Sequence, residues 1–243
     1  MTFYDLDGNS FGTHDFIELY SKYYFNDNDK AEGIKYTQSS SYVENEKIMP
    51  ILQGHIDSYS DFAKIMAWKI GKIKHKESQD KKKIIYASDW SNCEKTNPLR
   101  YKNKLDLKKL AKYICSNREE LEILAIQNPQ ECLRRLSKVN ISGIGTVYLI
   151  TLLFFLSHGQ YPIYDRFAQG ALYAFKNDIK PNGAVCVREL PTKNSGGFAN
   201  LMEGQYGEYI KELEALGVDY KNDRRVDRAL WVYGHAFNYI KKK

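Results

Sequence analysis

Residues 140–165 read NISGIGTVYLITLLFFLSHGQYPIYD, and this stretch decides the fold. Gly143 and Gly145 bracket Ile144 and lead into an apolar run, Val147 to Ser157. The run is long enough for three helical turns and apolar on nearly every side, the pattern of a helix buried all round. Ahead of it, Pro129-Gln130-Glu131-Cys132-Leu133-Arg134-Arg135-Leu136 has proline at a helix start, an acid in the first turn and apolar residues at helical spacing. The order is therefore helix, glycine hairpin, buried helix, then the turn Tyr161-Pro162-Ile163-Tyr164-Asp165 with a carboxylate at its end. Glycines at 143 and 145 permit φ > 0 and close approach of another backbone. The N–H groups of Gly145, Thr146 and Val147 then face outward at a helix N-terminus, where an anion such as phosphate is favoured. A plain αα-hairpin with a glycine turn accommodates Gly-Ile-Gly equally well.

Ile141-Ser142-Gly143-Ile144-Gly145 resembles the hairpin of the helix-hairpin-helix DNA glycosylases, with Ser142 where that family usually has proline. In the family an essential Asp follows the second helix, and Asp165 stands 18 residues after Val147, the position where many members carry the lysine that attacks the sugar. The likeness covers residues 118–175 and, less fully, the C-terminal helix. It implies a mostly α, two-lobed helical glycosylase-like fold with its helix-hairpin-helix unit at 129–157. It also implies a double-stranded DNA partner carrying a flipped base. The hairpin residues Gly143, Gly145, Thr146 and Val147 would grip phosphate, positioning DNA without reading its sequence.

Asp165 has two compatible readings. An Asp ahead of Arg166–Phe175, which reads as a helix, is an N-cap. A fixed carboxylate also stabilises the positive charge that builds on a sugar as its N-glycosidic bond breaks, and it can orient the attacking water. Arg166 follows where the family has a small or polar residue; it either holds a phosphate or pairs with Asp165. No lysine lies between Lys138 and Lys176, and Val147 cannot replace one. A Schiff-base mechanism needs an amine, so water is the expected nucleophile and an intact abasic site the product, unless a lysine arrives from elsewhere in the chain.

Arg224 to Phe237 reads as an amphipathic helix on which Asp227 and Trp231, four apart, share a face. They look like the base-reading and base-stacking positions of the 8-oxoguanine branch of the family, with Asp where Gln is expected. Flipped bases are held by edge hydrogen bonds and aromatic stacking. The other reading makes Trp231 core and pairs Asp227 with a neighbouring arginine.

With 43% hydrophobic and 27% charged residues, the chain is of globular composition, and its 243 residues can bury an ample core. Charge is unevenly spread. Residues 1–63 hold 4 basic and 11 acidic residues, whereas residues 64–112 hold 15 and 5. The basic middle includes Lys69, Lys72, Lys74, Lys76, Lys81, Lys82, Lys83, Arg100, Lys102, Lys104, Lys108 and Lys109. It reads as a phosphate track or as a lysine-rich solvated surface. The expected organisation is an acidic segment, 1–48, packed on a helical body, 49–243. Cys93, Cys115, Cys132 and Cys186 form no CxxC pair, so no zinc or iron–sulfur spacing is visible; no metal or cofactor is expected. Scattered thiols without a signal peptide point to the cytoplasm, beside the nucleoid. The run 147–156 is too short to span a bilayer.

Smaller expectations complete the pass. A helix starts at Thr13 or Asp15 and runs to Tyr24. Pro50–Lys74 forms one helix, 78–83 a charged linker and Ile84–Ala87 a short strand or an extended loop. Helices follow at Leu105–Cys115, Arg118–Gln127 and Leu201–Leu216, with a loop at 178–197. The function expected is a monofunctional DNA base-excision glycosylase acting on a damaged or modified purine. The alternative is a non-catalytic helix-hairpin-helix DNA-binding module, and a third class is a scaffold with no nucleic-acid role.

Overall fold

The buried helix read from 147–157 is observed as Thr146–Leu156, with nine of its eleven residues buried. We describe the protein from a computed structural model covering residues 2–25, 41–69, 73–78, 81–86, 104–139, 141 and 144–240, with backbone alone at 73–78, 81–86 and 104–106. In chain order the elements are β1 (Phe3–Tyr4), β2 (Ser10–Phe11), α1 (Thr13–Lys22), α2 (Ser41–Val43), α3 (Met49–Gln53), α4 (Tyr59–Lys69), β3 (Ile73–Ser78) and β4 (Lys81–Tyr86). There follow α5 (Lys104–Ser116), α6 (Arg118–Gln127), α7 (Pro129–Lys138), α8 (Thr146–Leu156), α9 (Arg166–Lys176), β5 (Ala184–Cys186), α10 (Gln205–Glu214), α11 (Arg224–Gly234) and β6 (Asn238–Ile240). The protein is mostly helical, and no helix among the described residues is long and apolar enough to cross a membrane.

The chain divides into two compact units, one of residues 1–38, 162–191 and 200–243 and the other of 39–161 and 192–199. The acidic 1–48 segment therefore contributes to both. In the first unit, β1 pairs antiparallel with β2 and β5 parallel with β6. Its core is aromatic. Phe3 lies 4.3 Å from Phe16 and 3.9 Å from Phe175, ring centroid to centroid, and Tyr233 lies 5.3 Å from Phe16. Such pairs add about 0.5–1.5 kcal/mol each beyond the area they bury. Helices α9 and α11 meet closely because Gly234 carries no side chain, and Gly170 on α9 makes room for β6, since a Cβ at 170 would fall 2.5 Å from the Tyr239 hydroxyl. Several tyrosines are core residues here: Tyr20, Tyr164, Tyr206, Tyr209 and Tyr233 are all buried.

In the second unit, α8 is the central element. Helix α7 starts where Asn128 accepts from the Glu131 N–H at 3.2 Å with Pro129 in the first turn, and Cys132, Leu133 and Leu136 face inward. Burial pushes the Cys132 thiol up to about 12, so it is an inert packing residue. Trp68 packs edge-on against Phe155 and donates its indole N–H to the buried Glu44 carboxylate at 2.8 Å.

Three local expectations are corrected. Pro50–Lys74 is not one helix: α3 ends at Gln53, and Ser58 opens α4 by accepting from the Asp61 N–H at 3.2 Å while donating to its carboxylate at 2.7 Å. Gly54 and the cap at Ser58 favour this break over propagation. Within the expected charged linker at 78–83, Ser78 and Lys81 to Lys83 belong to an antiparallel ribbon in which Lys76 pairs with Lys83 and Ser78 with Lys81, while 79–80 lie outside the described residues. The 178–197 loop holds the short strand β5.

Candidate functional site

Asp165 sits at the end of a pinned segment. Tyr206 donates to the Pro162 carbonyl at 2.6 Å and Tyr209 to the Ile163 carbonyl at 3.2 Å, both from inside the core. Tyr164 donates to the Arg188 carbonyl at 2.6 Å. Three successive residues are thus fixed before the chain turns into α9. Asp165 is then the N-cap: one carboxylate oxygen accepts from the Phe167 N–H at 2.8 Å. The residue is half-buried, so the carboxylate is held at the unit's surface.

The same unit holds a wall of rings, Phe167 on α9 with Trp231 and His235 at the end of α11. Phe167 stacks on His235 with centroids 3.6 Å apart, and Trp231 lies 4.3 Å from His235 and 6.1 Å from Phe167. Tyr24 closes on Trp231 at 5.6 Å. Trp231 is half-exposed, so it is neither pure core nor a free surface ring. His235 Nδ1 sits 2.8 Å from the Trp231 carbonyl oxygen. Burial holds its pKa below the ordinary value, opposed by the nearby Asp165 charge. Asp227 is engaged by Arg224 at 2.6 Å, as the arginine-pairing reading expects. Burial pushes the Tyr209 phenol well above its usual range, and the Asp227 and Asp165 carboxylates push the same way. Asp165, Asp227 and Trp231 therefore belong to one unit, and of the three Trp231 packs directly on His235. Arg166 is exposed and lies over the Phe167 ring at 4.6 Å.

The hairpin belongs to the other unit. Gly143 and Ser142 lie outside the described residues. The Ile144 N–H donates to the Ile141 carbonyl at 3.3 Å, and both side chains are buried, anchoring the turn. Gly145 is the N-cap of α8 at φ −89°, which any residue adopts, so the expected φ > 0 at this glycine is not found. A Cβ there would meet nothing within 4 Å, and the residue is exposed. The fold itself therefore makes no demand for glycine at 145. Thr146 is buried and Val147 half-buried in the first turn of α8. Lys193, distant in sequence, donates to the Ile141 carbonyl and so brings a lysine to the hairpin.

Beside α7 runs an open groove of about 560 Å³ lined by Lys109, Lys112, Tyr113, Arg135 and Lys138. Arg135 is already paired with Glu120 and Glu131. Of the basic stretch read from sequence, Lys72, Arg100 and Lys102 lie outside the described residues, and Lys109 reaches this groove.

Comparison with protein-family models, curated proteins and solved structures finds no match. The likeness to helix-hairpin-helix glycosylases thus rests on the residues quoted above.

Sequence reading missed the positioning tyrosines Tyr206 and Tyr209 and the stacking His235. Of these only His235 carried a signal, four residues after Trp231 on the same helix face. It also missed a cluster in the second unit, His55, Glu122 and His158, whose side chains could hold a metal ion.

Proposed function

We propose that the chain is a monofunctional DNA base-excision glycosylase acting on a damaged or modified purine base. The observation that carries this reading is Asp165: a carboxylate held at the surface by a helix N-terminus and a triply pinned segment, in the unit that also holds the aromatic wall. In such a site the glycosidic bond breaks with its electron pair leaving on the base. The Asp165 carboxylate stabilises the oxocarbenium-like sugar. A water adds to C1′, and Asp165 orients it and takes its proton. The half-exposed Trp231 offers a stacking face to an extruded base, and Asp227, set by Arg224, offers acceptors to a base edge. The open space before Gly145 and the lysines of the groove support phosphate contacts.

The second reading, a non-catalytic DNA-binding module, is favoured by one fact: capping alone accounts for Asp165 structurally. A base-release assay separates the two. Duplexes carrying 8-oxoguanine, uracil, alkylpurines or mismatches would be incubated with wild type and Asp165→Asn, with and without alkali. Asn caps as well as Asp, so the variant keeps its fold. Alkali-dependent strand cleavage lost in the variant supports the proposal. Equal DNA binding by both proteins without release supports the binding module. A borohydride-trapped adduct would refute the water nucleophile and direct attention to Lys193.

A further inference from the structure

His55, Glu122 and His158 come from the loop after α3, from α6 and from the end of α8, and their ligand atoms all lie within 4.8 Å of one another. His55 Nδ1 sits 2.8 Å from Glu122 Oε1, and the two imidazole centroids are 5.9 Å apart. His158 Nδ1 is 3.2 Å from the Leu52 carbonyl oxygen. That contact places the proton on Nδ1 and leaves the lone pair on Nε2. Metal-binding histidines are commonly oriented in this way, by a carbonyl on the other nitrogen.

The framework around the cluster is built to hold it. His158 has φ 51°, in the left-handed region, where histidine is among the better-tolerated residues. Its N–H donates to the Phe155 carbonyl at 3.1 Å and the Gly159 N–H to the Phe154 carbonyl at 2.8 Å, so α8 is closed off with the imidazole-bearing residue just beyond its C-cap Ser157. The His55 loop is tied to α5 by Cys115, whose thiol donates to the Ile56 carbonyl at 3.6 Å, and to α6 by the Arg118–Asp57 ion pair. Glu122 follows Arg118 by one turn on the same helix face. The Glu122 side chain is 13% exposed and that of His55 47%, so the cluster opens to water on one side.

We propose that His55, Glu122 and His158 bind a divalent transition-metal cation of the zinc class. Two imidazoles and one carboxylate suit zinc and cobalt, whereas calcium and magnesium prefer all-oxygen surroundings. Three protein ligands leave the fourth position to water, as in an open zinc site rather than a closed structural one. Metal bonds of about 2.0–2.2 Å require the side chains to draw together, and the exposed His55 has room to turn. The site lies at the opposite end of α8 from the hairpin, about 16 Å along the helix at 1.5 Å per residue. It does not depend on the glycosylase reading.

The test is a Co²⁺ titration of the chelator-stripped full chain, read by visible d–d absorption and followed by Zn²⁺ displacement. One Co²⁺ per chain, displaced by one Zn²⁺, is expected. His158→Asn, chosen because asparagine tolerates the left-handed turn, should lower the Co²⁺ affinity by about 10–100-fold or more. The isosteric Glu122→Gln and the loop variant His55→Ala should do the same, with circular dichroism confirming each fold. Binding to His14, His75 or His235 would persist in all three variants. Such persistence, or no d–d absorption at millimolar Co²⁺, overturns the proposal.

Discussion

Gly234 of α11 lies against the Phe167 carbonyl of α9: a Cβ at 234 would fall 2.0 Å from that oxygen. Two helices that carry Phe167 and Trp231 are therefore in backbone contact, and the aromatic wall depends on that contact. Gly234→Ala must push α9 and α11 apart. Overpacking of this kind costs about 1–3 kcal/mol, which for a chain of this length lowers the melting temperature by roughly 2–4 °C per kcal/mol. Gly196→Ala, with nothing within 4 Å of the new methyl group, is the control and should melt as wild type. Equal melting of the two variants would mean that the helices can slide apart freely.

Tyr206→Phe leaves the Pro162 carbonyl without its donor. A buried acceptor stripped of its partner costs about 1–3 kcal/mol. The segment ahead of Asp165 should loosen, so base release should fall while DNA affinity holds. Tyr209→Phe should act in the same direction through Ile163. Parallel urea melts and single-turnover kinetics check both effects; release unchanged in both variants would show that Asp165 does not need the pinned segment.

The depressed pKa of His235 gives a signed pH effect. The native state holds this imidazole neutral, so below the ordinary value of 6.5 the unfolded chain binds the extra proton. Stability from this group is complete above that value and is lost as pH falls through it toward the lower native pKa. His235→Phe keeps a ring against Phe167 and removes the titration. Wild type should lose more stability than the variant between neutral and mildly acidic pH, measured by denaturant melts across that range.

Lys109, Lys112 and Lys138 line the groove beside α7. If duplex DNA follows it, replacing all three with Gln should flatten the dependence of log affinity on log salt, by about 0.9 for every phosphate no longer neutralised. Asp165→Asn should leave that slope unchanged. An unaltered slope in the triple variant would remove the groove from the DNA path.

The parts legible in the sequence were those with strong local signals. Helix α8 was readable because an apolar run of its length has only a buried helix to become, and Asp165 because a cap is written in its neighbours. Of the ribbon only the end of β4 at Ile84–Tyr86 was readable; β3 and the start of β4 were not, because a lysine-rich run gives little apolar signal from which to infer strands. The break at Gly54 was hidden because apolar residues at helical spacing continue on both sides of it. His55, Glu122 and His158 stand 67 and 36 residues apart in chain order, so no spacing rule could join them. Tyr206 and Tyr209 gave no signal because a tyrosine that pins a distant carbonyl looks like any other tyrosine.

The aromatic core of the first unit has a consequence for synthesis. Phe3 and Phe16 find their partners in Phe175 and Tyr233, well over a hundred residues later. A nascent chain emerging from the ribosome must hold Phe3 and Phe16 with only each other and nearby rings for partners until α9 and α11 have been made. The central helix α8 and nearly all that surrounds it are complete before then. Deleting the first 22 residues would thus not trim a tail. It would strip the phenylalanines that pack on α9, the helix capped by Asp165, and a protease that clips there should silence the carboxylate without touching it.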